Sequence, residues 1–218
     1  MTIRYVLWDN DGVLVDTEGG YFEATRRALA ECGIELDIAQ YVRLRARGES
    51  AWQLAVDAKL PAETIARHRD ARDSYYQDFL ARGTLEIPDV HDVLGRLSGR
   101  YRMAIVTTSK RRNFDLIHRE RRLVRHMQFV LTREDFANGK PAPDGYLEAL
   151  ARFGAEPSEA IVIEDSAQGL NAARAAGIRC VVVHNRFFGD LHDFDGAVVM
   201  LRSIAELPDA LANLEELR

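Results

Sequence analysis

The sequence predicts an α/β fold: a doubly wound parallel sheet with an inserted group of helices. Three observations predict it. Short apolar runs rich in Val and Ile recur along the 218 residues, helical segments alternate with them, and acids or hydroxyls stand where several runs end. Continuous apolar strands fit a parallel sheet buried on both faces. Strand–helix alternation is the mark of the doubly wound class, whose ligands bind beyond the carboxyl ends of the strands.

Taken in order, strands are predicted at residues 3–8, 103–107, 129–132, 161–164 and 180–184, with a weaker sixth at 197–200. Helices are predicted between them at 90–97, 111–122, 144–153 and 169–176. Residues 18–82 break the alternation. Four helices, at 18–31, 37–45, 50–58 and 61–81, follow one another with no convincing strand between them, and Pro61 suits the first turn of the last. The expected organisation is therefore an α/β core of residues 1–17 and 83–218, with a helical cap at 18–82 that would act as a lid.

Composition narrows the class. Lys and Arg number 29 against 34 Asp and Glu, a net charge of −5, which argues against a nucleic-acid-binding footprint. The basic stretches at Lys110-Arg111-Arg112 and between Arg119 and Arg125 read as solvated helix faces, with an anion-binding patch as the alternative. Two isolated cysteines, Cys32 and Cys180, form neither a disulfide framework nor a zinc site, so a reduced, cytoplasmic setting is expected. No signal peptide is visible, and no apolar run approaches the ~20 residues that a membrane span needs.

Asp9-Asn10-Asp11-Gly12 closes the first predicted strand. Residues i and i+2 of a strand share a face, so Asp9 and Asp11 would aim at one spot, and Gly12 would let the backbone turn and approach a ligand closely. Two carboxylates there need a partner such as a metal or several hydrogen bonds; a simple capped turn is the plainer alternative. The second strand ends in Thr107-Thr108-Ser109-Lys110, which offers hydroxyls and backbone N–H groups for an anion or, more plainly, a helix cap. Gly139-Lys140-Pro141-Ala142-Pro143-Asp144 is a stiff loop that can hold Lys140 as a point charge for phosphate, or expose it on the surface. Ile161-Val162-Ile163-Glu164-Asp165-Ser166 again ends an apolar run in two acids, which suit Mg²⁺, although Asp165 would also serve as a helix cap.

In this order the four pieces make the chain resemble the haloacid dehalogenase superfamily, in the helical-cap branch that contains phosphoglycolate phosphatases and β-phosphoglucomutases. The resemblance spans residues 3 to about 184. It implies that Asp9 is a nucleophile forming an aspartyl-phosphate and that Asp11 exchanges protons with the leaving group and water. It implies that Gly12, Thr107, the Thr108 amide and Lys140 hold the phosphoryl group, and that Asp9, the Asp11 carbonyl and Asp165, with Glu164 beside them, bind Mg²⁺. Arg47 is a candidate for contacting the substrate from the cap. Dehalogenases of the superfamily lack an aspartate at the place of Asp11. The mutases carry a cap histidine and arginine where Tyr21 and Ala51 stand here, which favours a phosphatase. A small phosphorylated metabolite, a sugar phosphate or organic acid phosphate, is the implied substrate. The alternatives are a phosphomutase or a non-catalytic binder of phosphorylated ligands, as a monomer or homodimer. Asn10 departs from the family, which has an apolar residue there, and the sequence offers no reason for it.

Overall fold

The apolar runs pair side by side in one parallel sheet. The structure, a computed structural model, describes residues 2–188 and 194–216. Its strands are β1 (Tyr5–Trp8), β2 (Arg102–Val106), β3 (Phe129–Leu131), β4 (Ala160–Glu164), β5 (Arg179–Val183) and β6 (Val199–Leu201). They lie in the order β3-β2-β1-β4-β5-β6, and every pairing is parallel. The chain therefore leaves β1 to one side through β2 and to the other through β4. That reversal is where doubly wound sheets bind ligands. Trp8 pairs in register with Ile105 of β2 and Ile163 of β4, so the residues just beyond these three strand ends come level.

The described residues fall into two compact units. One holds residues 2–16, Leu85–Arg186 and 194–216; the other holds Thr17–Thr84 with Phe187 and Phe188. The second unit is built from α1 (Glu18–Ala30), α2 (Ile38–Ala46), α3 (Gln53–Asp57) and α4 (Ala62–Arg82). Its core gathers Phe22, Leu29, Tyr41, Trp52 and Ile65 around Phe188. Asp37 caps α2 by accepting the Gln40 N–H at 2.7 Å. Glu18 is buried in this unit, where its Oε1 accepts from the Tyr41 hydroxyl at 2.7 Å and from Arg45 at 3.2 Å. Phe187 and Phe188 lie far from the rest of this unit in sequence.

In the sheet unit, α5 (Val90–Ser98), α6 (Arg111–His118), α7 (Asp144–Phe153), α8 (Ala167–Ala175) and α9 (Leu207–Glu216) flank the strands. Alternate strand residues Tyr5, Leu7, Ala104, Val106, Val162 and Val182 share one cluster with Tyr146, Leu150 and Phe153 of α7 and Leu170 and Ala173 of α8. This is the period-two face of each strand meeting the apolar stripe of a helix. The intervening residues Val6, Trp8, Ile105 and Ile163 are buried as well. The helix expected over 111–122 ends at His118, and a 3₁₀ turn at Arg122–His126 follows. Phe114, Ile117 and His118 are buried, but one turn further the same face would present Arg121 and Arg122 to the core. Leaving the helix lets Leu123 turn inward instead, where it is buried.

Candidate active site

Strand β1 delivers Asp9 to the level of the β2 and β4 ends, and the Asp9 N–H extends the ladder to the Ile163 carbonyl at 2.9 Å. The chain then turns tightly. The Asn10 carbonyl accepts from the N–H groups of Leu14 and Val15, and the Gly12 N–H reaches the Val15 carbonyl at 2.7 Å. Gly12 has φ +85°, and a Cβ on it would overlap the Asp165 carboxylate. A glycine is required here both for the backbone angle and for the approach of Asp165.

Lys140 is tied at all three of its donor positions. Its Nζ lies 2.6 Å from Asp9 Oδ1, 2.6 Å from Glu164 Oε1 and 3.0 Å from the Val106 carbonyl. Glu164 is fully buried, and five donors converge on it. Lys140 and the Tyr146 hydroxyl meet Oε1; the Asp165 N–H, the Ser166 N–H and the Ser166 hydroxyl meet Oε2. Gly169 in the first turn of α8 makes room for it, since a Cβ there would run into the Glu164 carboxylate. Asp165 accepts from the Asn185 amide at 2.6 Å.

The cluster gathers acids away from water. Asp9, Glu164 and Asp165 are all buried and can present ligand oxygens within 4.8 Å of one another. Lys140 forms ion pairs with two of them, Asp9 and Glu164. Burial pushes Asp9 up to about 8, with the Glu164 charge adding to the rise and Lys140 pulling against it. Burial also opposes the charge on Lys140, but the Asp9 and Glu164 carboxylates outweigh it and hold the amine above its ordinary value. Buried carboxylates are costly unless positive charge joins them. Hard, buried oxygen donors of this kind fit Mg²⁺. A carboxylate has about four lone-pair sites, and Glu164 already meets five donors, so Asp9 and Asp165 have the first claim on an ion.

Asp11 sits in different surroundings. Its Oδ2 accepts from the Ser109 hydroxyl at 2.7 Å, the Thr107 hydroxyl at 3.2 Å and the Asn10 amide at 3.3 Å. Thr107 is buried and also accepts the Ser109 N–H at 3.0 Å, whereas the Thr108 side chain is exposed. Two aspartates two residues apart are thus held apart in character: one locked to a lysine among carboxylates, the other cradled by hydroxyls. Such divergence is how a pair of acids takes two roles.

A family model for haloacid dehalogenase-like hydrolases matches residues 6–183, which include all of these side chains except Asn185. The chain belongs to that family. Its members are enzymes, and the curated relatives of this chain include phosphatases. It is 32% identical over 192 residues to the mitochondrial (DL)-glycerol-3-phosphatase 1 of Arabidopsis thaliana, which covers 84% of this chain and 64% of that protein. It is 31% identical to the phosphoglycolate phosphatase of Shigella sonnei, over 96% of this chain and 92% of the relative. Among solved structures, CbbY from Rhodobacter sphaeroides in complex with phosphate superposes with a TM-score of 0.79 at 27% identity, covering 94% of this chain and 96% of the other.

The structure brings Asp9, Asp11, Gly12, Thr107, Lys140, Glu164 and Asp165 to one end of the sheet. Arg47 stands exposed at the C-terminal cap of α2 in the helical unit. Tyr146, Asn185 and His118 also belong to the cluster or its supports and escaped the sequence reading, while Ser109 and Ser166 lie within its motifs but were given no separate role. Asn185 follows the end of β5, so the strand-end rule would have found it. Tyr146 is buried inside a helix, where an aromatic residue reads simply as core. Among the described residues, no helix is long and apolar enough to cross a membrane.

Proposed function

We propose that the protein is a Mg²⁺-dependent phosphatase that hydrolyses a small phosphorylated metabolite through an aspartyl-phosphate on Asp9. The observation that supports this most is the contrast between Asp9, fixed by Lys140 at 2.6 Å within a buried acid trio, and Asp11, held by hydroxyls two residues later. In the first half, an Asp9 carboxylate oxygen attacks phosphorus as the bond to the ester oxygen breaks, and Asp11 gives its proton to the departing alkoxide. In the second half, Asp11 removes a proton from water, the water oxygen attacks phosphorus, and the Asp9 carboxylate is restored as inorganic phosphate leaves. The two halves need one group as acid and then as base, help worth roughly 10²–10⁴-fold. Lys140, Thr107 and the Thr108 amide hold the phosphoryl group, and Glu164 keeps Lys140 in place.

Asp9, Asp165 and the Asp11 carbonyl would hold the Mg²⁺, which when bound offsets the negative charge shared by the carboxylates and the phosphoryl group. Turnover of p-nitrophenyl phosphate should vanish in EDTA and return with Mg²⁺ but poorly with Ca²⁺, whose looser shell misplaces the nucleophile. Full turnover in metal-free buffer would contradict the reading. Asp9 adds a pH signature. Its folded value of about 8 lies above that of a free carboxyl. The metal-free protein therefore keeps this contribution to stability at low pH and loses it as pH rises through 8. Below that pH a proton competes with the ion for Asp9. Added Mg²⁺ should raise the melting temperature more near pH 8 than near pH 5, and an increment independent of pH would count against Asp9 as a ligand.

We assign substrate choice to the helical unit, residues 18–82, acting as a cap, with the site chemistry left to the sheet unit. Arg47 is the test residue, because a guanidinium pairs bidentately with anionic groups. Arg47→Ala should raise KM for the preferred metabolite about tenfold, the loss of one charge-assisted contact, with little change for p-nitrophenyl phosphate. An equal loss of kcat for both substrates would give Arg47 a structural role instead.

A further inference from the structure

We propose that His118, acting through Asn10, positions the Asp11 carboxylate for proton transfer. The inference rests on the phosphatase reading above and adds two positioning residues to it. Asn10 is fully buried, and a buried amide must find partners for both of its ends. Its Oδ1 lies 2.7 Å from His118 Nε2, and its Nδ2 lies 3.3 Å from Asp11 Oδ2. The short bond fixes the plane of the amide; the long one leaves Asp11 at the edge of its reach. A small rotation of the amide would break the contact with Asp11.

The direction of this chain of hydrogen bonds is set at His118. Asn10 Oδ1 is an acceptor, so Nε2 must carry the hydrogen. Burial pushes the imidazole down to about 4, with Asp11 opposing and Arg121 assisting the shift. The ring is therefore neutral near pH 7, and its one N–H hydrogen sits on Nε2. His118 Nδ1 is buried and unpartnered among the described residues, which fits the ring nitrogen that carries no hydrogen. The Phe114 ring packs against the imidazole with centroids 4.3 Å apart and holds its orientation. Donors then run one way, from His118 to Asn10 to Asp11. Without the Nε2 donor, Asn10 Oδ1 would be an orphaned buried acceptor. Turning the amide over would set an oxygen against the Asp11 carboxylate. His118 thus decides which end of the amide meets Asp11.

The effect belongs to proton transfer, so it should depend on the leaving group. The measurement is kcat/KM, which reports phosphoryl transfer to Asp9, for glycerol 2-phosphate (a poor leaving group) and p-nitrophenyl phosphate (a good one). His118→Phe should lower kcat/KM for glycerol 2-phosphate about 3- to 10-fold, the worth of one hydrogen bond, and change that for p-nitrophenyl phosphate less than about twofold. His118→Gln, whose amide can donate from near the Nε2 position, should recover most of the loss. Asn10→Leu removes the amide together with its acceptor and carries the same expectation if His118→Phe does not fold. Equal losses on both substrates, no loss in a folded variant, or no recovery with His118→Gln would overturn the proposal. Asp11→Asn is run beside them. If Asp11→Asn shows no leaving-group dependence, the role of Asp11 itself fails and this proposal falls with it. If Asp11→Asn shows the dependence and His118→Phe does not, the phosphatase reading stands and only the positioning role fails.

Discussion

Asp9→Asn should leave a folded protein whose turnover is lower by about 10⁴-fold or more, on good and poor leaving groups alike, as when a covalent nucleophile is removed. The substitution is nearly isosteric, and the asparagine Oδ1 can still accept from Lys140. It also removes one of three buried carboxylates that lie within reach of one another, Asp9, Glu164 and Asp165. Burial already makes the charged form of Asp9 costly. The melting temperature of the metal-free variant should therefore equal or exceed that of the parent. Steady-state assays at saturating Mg²⁺ and a thermal melt check both halves. A variant that melts normally and keeps a tenth of the parental activity would remove Asp9 from the nucleophile's role.

Lys140→Met should do the opposite to stability. Lys140 bonds to Asp9 and to the fully buried Glu164, each at 2.6 Å. Breaking a buried pair by removing one partner costs about 3–5 kcal/mol, because the remaining charge is left uncompensated. For a chain of this size that is a fall in melting temperature of roughly 6–20 °C. Proton uptake by Asp9, which burial already pushes up to about 8, relieves part of the cost, so the fall should be smaller at pH 5 than at pH 8. Activity should drop with it, since the phosphoryl group loses its point charge. A variant that melts with the parent at pH 8 would mean that the Lys140 charge has no part in holding the acid cluster.

The sheet is legible in the sequence because its strands are buried on both faces and so appear as unbroken Val and Ile runs. β6 is the weakest of them; it is one of the two edge strands, and Met200 is exposed on it. Helix ends are harder to read. The end of α6 at His118 is decided by the need to bury Leu123, a tertiary contact with no local signature. The acids of the site are legible because Asp and Glu after apolar runs are expensive and need a reason. Their division of labour is not. Glu164 and Asp165 are neighbours of similar chemistry, and only the five donors around Glu164 mark it as the anchor of Lys140. Asn10 finds its reason in His118, a residue 108 positions away. Ser109 meets Asp11 across 98 positions. Partners so distant in sequence are fixed by topology, not by spacing.

The proposed catalysis passes through an acyl phosphate on Asp9 that Asp11 then helps to hydrolyse. It is tested most directly by trapping that species. Asp11→Asn keeps the nucleophile and loses the base for the second half. With p-nitrophenyl phosphate, whose leaving group needs little protonation, phosphoryl transfer still proceeds and hydrolysis stalls. Intact-protein mass spectrometry after an acid quench should show one added phosphoryl group in Asp11→Asn, located by peptide mapping to Asp9. The Asp9→Asn, Asp11→Asn double variant should show none. An unmodified Asp11→Asn protein during turnover, or a phosphoryl group on another residue, would contradict the account.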